Sequence, residues 1–405
     1  MFTNVYLPMT NGVVTSVRSF RQGLVSRGHV VYVLAPHATE PYQRDERFVF
    51  RYPALELPLQ RYPLTLPVSP FMDMLLPCLA PDVLHAHHPV MLGRVAAKKS
   101  RSLGVPLVFT YHTRYQEYSH YAKAMPEHLV KEFLENWLAN FMRKCHHVIV
   151  PSESIRDMLE DTYGITKRVS VVATGVDRAV FQCSDRQLAR EEMGWDEGHT
   201  VLVSVGRLAR EKNWELLFEA FQKALHRHPS ARLLVIGGGE EQERLQSFCA
   251  GLAIEGQVTF TGSVPFAVIP RYLCAADLFC FASVTETQGL VTLEAMASGL
   301  PVVAVDASGT RDVLTDGREG FLTDLDSRAL ADKLCLLITD PDLRKRFAQA
   351  ASRRAADFDI AAQAARLEDV YHIAIEDYRS GYRVPVQADH STSGFRRFFS
   401  YFNRA

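Results

Sequence analysis

Two glutamates stand eight residues apart in TETQGLVTLEAMASGLPVVA (285–304), Glu286 in a loop and Glu294 on the apolar helix that follows. A carboxylate accepts hydrogen bonds from a vicinal diol, so each suits a hydroxyl pair on a sugar or ribose. In a continuous helix the two would lie about 12 Å apart, far enough to touch both ends of one extended ligand. Between them Gln288, Gly289 and Leu290 turn the loop into the helix, whose first N–H groups and positive dipole end suit a phosphate. A second segment, VSVGRLAREKNWELL (203–217), sets Arg207 and Lys212 just beyond Gly206 at a strand end. Cations past the carboxyl edge of a parallel strand lie where open α/β sheets bind ligands, and they match a diphosphate whose charge grows as it departs. Glu211 reads as a partner that orients these cations rather than as a catalyst.

Weaker signals lie elsewhere. In YLPMTNGVVTSVRSF (6–20), Gly12 joins the first strand to a helix and lets backbone approach a phosphate closely. In VFTYHTRYQEYSHY (108–121), His112 sits at a strand end, and Arg114, Tyr115, Tyr118, His120 and Tyr121 follow as candidates to line an acceptor side. His85, His87 and His88 are poorly spaced for one-sided ligation and have no cysteine near, so no metal site is expected. LLVIGGGEE (233–241) fails as a dinucleotide fingerprint, because Gln242 stands where the third glycine belongs. Asp306, Arg311 and Asp312 follow another strand, where an acidic residue suits a helix N-terminus.

The elements that must position these residues alternate between strand and helix, which predicts parallel sheets covered by helices. Short apolar runs at 29–36, 81–88, 105–112, 146–152 and 167–177 read as buried strands, and so do 199–208, 231–239, 257–264, 276–283 and 300–309. An amphipathic helix over 14–28 closes on Gly28. Met1 to Tyr6 reads as the end of a short first strand, and the proline- and aromatic-rich stretch 40–80 as long irregular structure. The fold class expected is α/β, two Rossmann-like doubly wound parallel-sheet domains facing a cleft, with a hinge near Thr174–Asp177.

The glutamate block closely resembles the E-x7-E motif of the retaining family 4 glycosyltransferases of GT-B fold, and residues 206–213 resemble that family's G-R-L-x-x-E-K-N segment. The resemblance runs from Tyr6 to about Leu367. It implies an N-terminal acceptor domain over 1–175, a C-terminal donor domain over 176–355, a helix over 356–380 packing back on the first domain, and a tail over 381–405. It further implies that Arg207 and Lys212 neutralise a UDP-sugar diphosphate, with Glu286 by the sugar and Glu294 on the ribose. Gly12, Gly206, Gly237, Gly238, Gln288, Gly289 and Leu290 complete the donor site, and His112 is the active-site histidine. His87, His88, Arg114, Tyr115 and Tyr118 then belong to the acceptor cleft. The opening segment with YHTRYQEYSHY is similar to the branch that glucosylates diacylglycerol in bacterial membranes. The expected reaction is hexose transfer, with glucose as the expected sugar, needing no metal or other cofactor. A UDP-sugar epimerase, or a transferase with a soluble or polysaccharide acceptor, is the alternative.

Composition agrees with a soluble globular chain. Of 405 residues, 47% are hydrophobic and 22% charged, and the formal net charge of −1 indicates no nucleic-acid partner. The first half carries a mild basic excess. The seven cysteines form no CxxC pair, which points to a reduced, cytoplasmic compartment. No apolar run reaches the roughly 20 residues that span a bilayer. Arg94, Lys98 and Arg101 share one helical face in MLGRVAAKKSRSLG (91–104), and the tail GFRRFFSYFNRA (394–405) is basic and aromatic. Both suit the anionic inner face of a cell membrane.

Overall fold

A computed structural model of the chain describes residues 1–37, 47–55, 64–114, 127–183, 185–196 and 198–384. The first half contains α1 (Gly12–Ser26), β1 (Val33–Pro36), β2 (Val49–Tyr52), β3 (Ala54–Leu55), β4 (Leu64–Thr65), α2 (Pro70–Cys78) and β5 (Leu84–Ala86). It continues through α3 (Leu92–Leu103), β6 (Leu107–Thr110), α4 (Glu127–Met142), β7 (His147–Val150), α5 (Glu153–Tyr163) and β8 (Val169–Val171). Helix starts are set by side chains that accept from orphan N–H groups: Asn11 for α1, Ser69 for α2 and Ser152 for α5. Strands β5 to β8 pair in chain order, all parallel, and β1 pairs with β2. Phe2 bridges both Leu34 of β1 and Ala86 of β5, so the first strand is reduced to one residue whose two bridges join the two ladders. The chain direction across the sheet therefore reverses beside Phe2, and the loops after Phe2 and after β5 open at that reversal.

The second half contains α6 (Arg178–Phe181), α7 (Arg186–Glu192), β9 (Thr200–Val205), α8 (Trp214–Arg227), β10 (Ala231–Ile236), α9 (Gln242–Gly251), β11 (Val258–Phe260), α10 (Ile269–Ala275) and β12 (Leu278–Phe281). After these come α11 (Leu290–Ala297), β13 (Val302–Val305), α12 (Thr310–Val313), β14 (Gly320–Thr323), α13 (Ser327–Thr339), α14 (Pro341–Ala355) and α15 (Ile360–Arg379). Its sheet is parallel in the order β11-β10-β9-β12-β13-β14. The reversal falls between β9 and β12, so the segments leaving those two strands, 206–213 and 282–289, meet at one crevice. Apolar residues fill both faces of each sheet, which is why the strands read as unbroken hydrophobic runs.

α15 crosses back to the first half. Its Leu367, Val370 and Ala374 share a core with Val17, Phe20 and Leu24 of α1, while Glu368 pairs with Arg27 and His29. Between the halves the backbone is tightly held: a Cβ on Gly175 would lie 2.6 Å from the Ile360 Cα.

Three expectations change. Every strand but β1, which ends at Pro36 as read, ends short of the stretch read for it, because terminal residues turn into the loops that follow. Within 40–80, β2 joins the sheet, β3 and β4 form an antiparallel pair and α2 forms a helix over its Ser69 cap, while 40–46 and 56–63 lie outside the described residues. Two cysteines are not free thiols: Cys183 and Cys274, 91 residues apart in sequence, are 5.0 Å apart at Cα and joined as a disulfide. Long-range packing brings them together, and no local spacing reveals such a pair.

Candidate active site

Arg207 and Lys212 leave the end of β9 through a short 3-10 turn over Arg210–Lys212. The turn is fastened from both ends. The Trp214 indole donates to the Arg207 carbonyl at 2.9 Å, and the Asn213 amide donates to the Ala282 carbonyl at 3.1 Å. Arg207 pairs with Glu211 and lies 3.6 Å from Glu240. Lys212 Nζ meets Glu286 Oε1 at 2.5 Å. Burial alone would push the Glu286 carboxyl up, but the Lys212 ammonium and its hydrogen bond outweigh that and hold the carboxyl below its usual range. Glu294 lies on α11, buried and without such help, and burial raises its carboxyl to about 8. The two glutamates therefore differ in charge at neutral pH although one loop and helix carry both.

Gly289 has a φ of 74°, a left-handed conformation that lets the loop swing into α11. Leu290 begins that helix, and its Cδ1 lies 3.6 Å from where a Cβ on Gly12 would sit. The N-terminus of α1, which begins at Gly12, thus faces the N-terminus of α11. Gly206 donates its N–H to the Ile236 carbonyl at 3.0 Å. A Cβ on Gly237 would stand 2.0 Å from the Gly206 carbonyl oxygen, and one on Gly238 2.5 Å from Ser263 Oγ. Gly237 brings the loop after β10 against the loop that carries Arg207, and Gly238 brings it against the loop after β11.

The opposite wall is histidine. His87 Nδ1 lies 2.9 Å from His112 Nε2, and the two rings stack. His85 Nδ1 lies 2.7 Å from the Tyr371 hydroxyl of α15, and its Nε2 lies 2.7 Å from Thr110 Oγ1. His88 Nδ1 accepts from the Asn4 backbone N–H at 3.1 Å. Burial pulls His112 down to about 3 and His88 to about 4, and it drives His85 and His87 well below the ordinary histidine range. All four rings are neutral near pH 7. Tyr115, Tyr118, His120 and Tyr121 lie outside the described residues.

Four first-half residues reach the loop that carries Glu286. Arg114 Nη1 donates to the Val284 carbonyl at 3.3 Å, so it faces the loop as well as any acceptor space. Thr287 Oγ1 donates to the His112 carbonyl at 3.1 Å, and Ser152 Oγ donates to the Thr287 carbonyl at 2.8 Å. The Gln288 carboxamide bonds both backbone groups of Thr174. Asp312 caps its own helix through Gly309 N–H at 2.9 Å and accepts from Ser154 N–H at 3.0 Å. Ser152, Ser154 and Thr174 carry no sequence signal beyond a strand end or cap. Among the described residues no group of three or more His, Cys, Asp or Glu is placed to hold a metal ion.

Two parallel-sheet α/β units whose carboxyl-edge loops meet in this way have the GT-B architecture of glycosyltransferases. The Anabaena HepE structure in complex with UDP and glucose superposes with a TM-score of 0.72 at 20% identity, over 92% of this chain and 98% of that one. Residues 10–180 match the profile described as Glycosyltransferase Family 4, and residues 185–354 that of Glycosyl transferases group 1. The GDP-mannose-dependent alpha-mannosyltransferase of Mycobacterium tuberculosis is 31% identical, over 86% of this chain and 89% of that one. The alpha-monoglucosyldiacylglycerol synthase of Streptococcus pneumoniae is 29% identical, over 85% of this chain and 79% of that one. The chain belongs to glycosyltransferase family 4, and it is a hexosyltransferase.

Proposed function

We propose that the chain transfers glucose from UDP-glucose to the hydroxyl of diacylglycerol at an anionic membrane surface, with retention at the anomeric carbon. The observation that carries the reading is the convergence at one crevice of Arg207, the Lys212–Glu286 pair and the facing starts of α1 and α11. Fixed cations and helix N-terminal amides stabilise a departing diphosphate most when its charge is greatest. In the reaction the acceptor oxygen bonds to the sugar C1 as the bond from C1 to the β-phosphate oxygen breaks. The acceptor proton passes to that phosphate oxygen on the same face. Glu286 accepts from sugar hydroxyls, Glu294 takes the ribose diol, and neutral His112 hydrogen-bonds the sugar without adding charge.

The lipid acceptor is supported by the relative that makes monoglucosyldiacylglycerol and by one face of the first half. There α2 exposes Phe71 and Met74, with Val68 before them, and α3 exposes Arg94, Lys98 and Arg101. Lys99 and Asp73, 2.7 Å apart, fasten the two helices together. Apolar side chains beside a basic helix suit insertion among anionic headgroups. Among the described residues no helix is long and apolar enough to cross a membrane.

The test is UDP release from UDP-glucose with and without diacylglycerol in anionic micelles, followed by NMR of the product anomer. Release that needs the lipid and gives the α-glucoside supports the reading. Release only from GDP-mannose would transfer the assignment to the mannosyl branch. An epimeric UDP-sugar formed without an acceptor and without net UDP release would favour an epimerase-type reaction.

A further inference from the structure

We propose that Gln288 is a positioning residue whose side chain clasps the crossing between the two units and so fixes the loop that carries Glu286 and starts α11. Its Oε1 accepts from the Thr174 N–H at 2.7 Å, and its Nε2 donates to the Thr174 carbonyl at 2.9 Å. One carboxamide thereby completes both backbone groups of one residue, as a neighbouring strand would. The orientation of the amide is set by chemistry, since Thr174 N–H can only donate and its carbonyl can only accept. Gln288 and Thr174 are each 3% exposed, so breaking the pair leaves four polar groups shielded from water.

Thr174 is itself anchored to the first unit. Its hydroxyl donates to Ser16 Oγ at 2.9 Å, and Ser19 Oγ donates to the Gly175 carbonyl at 2.8 Å. Ser16 and Ser19 lie on α1, whose start faces Leu290. The clasp therefore joins α1, the crossing segment and the start of α11 in one buried network. Rotation of the units must break it. The proposed nucleotide ligands Arg207, Lys212 and Glu294 lie beyond the crossing, so these contacts to UDP persist whether or not the clasp is made, and only the contact from the start of α1 depends on closure. Transfer needs the sugar held against His112 on the other side, and that requires closure.

The role of the clasp in turnover rests on the proposed glycosyl transfer, whereas its existence does not, and the test separates the two. Amide hydrogen exchange is followed at Thr174 in the wild type, Q288A and Q288E, with β9 as an internal control for intact folding. Small-angle scattering measures unit separation, and UDP titration and turnover follow. In Q288A, exchange at Thr174 accelerates about ten- to thirty-fold, the average separation widens, and kcat falls by a similar factor. The dissociation constant for UDP changes by less than about three-fold. Q288E keeps the acceptor and loses the donor, so it recovers part of the protection at Thr174 and keeps the proposal testable if Q288A unfolds. Wild-type exchange at Thr174 in both variants would overturn the proposal. So would a loss confined to UDP affinity with kcat intact, which would make Gln288 a nucleotide ligand. A wild type that transfers no sugar would sink the catalytic reading while leaving the exchange result to decide the clasp.

Discussion

The two walls of the crevice handle charge in opposite ways. On the second-half wall, Lys212 and Glu286 are ionised together, and Arg207 is flanked by Glu211 and Glu240. On the first-half wall, His85, His87, His88 and His112 are buried against one another and kept neutral. A cluster of four imidazoles beside a diphosphate would be expected to protonate. Burial prevents it, because each added proton would meet desolvation as well as its neighbours. The wall that meets the leaving group supplies cations, and the wall that meets the sugar and acceptor supplies hydrogen bonds without net charge.

The sharpest way to break this contrast is to remove the cation. Lys212→Ala is expected to lower kcat roughly 100- to 1,000-fold, the range for losing a group aimed at developing charge. It also leaves Glu286 buried without its partner, so that carboxyl rises and sugar contacts weaken. Steady-state kinetics with circular dichroism to verify folding check this, and turnover within ten-fold of wild type would remove Lys212 from the chemistry.

Glu294 sharpens the contrast from within the charged wall. Burial raises the free carboxyl to about 8, so it is mostly protonated at pH 7. A ribose diol donates to the carboxylate and favours the ionised form, so nucleotide binding should release a proton. UDP affinity should then rise with pH up to about 8 and level off above it. Glu294→Ala should weaken UDP about ten-fold, and Glu294→Gln should flatten the pH dependence. Calorimetry in buffers of different ionisation enthalpy reads the proton directly. No proton release at pH 7 would place the ribose elsewhere.

Much of this arrangement is legible in the residues themselves. The parallel sheets follow from unbroken apolar runs, and the donor-side residues follow from short segments at two strand ends that the reversal between β9 and β12 must bring together. What the chain order conceals is lateral. Ser152 and Thr174 reach the donor-side loop, and Ser154 reaches Asp312 on α12, only because the two units close on each other, and each looks like an ordinary cap or strand-end residue. Gln288 sits inside a recognisable motif, yet its side chain turns to a backbone 114 residues away. The pairing of Cys183 with Cys274 is hidden for the same reason.

His112 tests the neutral wall with a smaller effect. Because burial holds it near 3, kcat/KM should show no acidic limb from this ring between pH 5 and 8. His112→Gln keeps a neutral hydrogen-bonding group and should lose less than about ten-fold, whereas His112→Ala should lose more. An acidic limb near pH 6.5 that disappears in H112Q would show that the ring titrates at its ordinary value in the free enzyme, so that burial does not keep it neutral, and would erase the contrast between the walls.

The smallest effect on turnover is expected away from the crevice, where the comparison takes a different form: apolar α2 beside basic α3. Replacing Arg94, Lys98 and Arg101 together by alanine should leave kcat in detergent solution unchanged, because these exposed residues lie on α3 and not among the groups that face the donor loop. Binding to anionic vesicles should fall on the order of 100-fold at low salt, since each basic residue near such a surface is worth about 1 kcal/mol. Replacing Phe71 and Met74 by serine should instead weaken binding in a way that added salt does not mimic, because the lost term is apolar insertion. Vesicle sedimentation across a salt series separates the two. If both variants sediment as the wild type does, this face does not meet lipid, and the acceptor must reach His112 by another route.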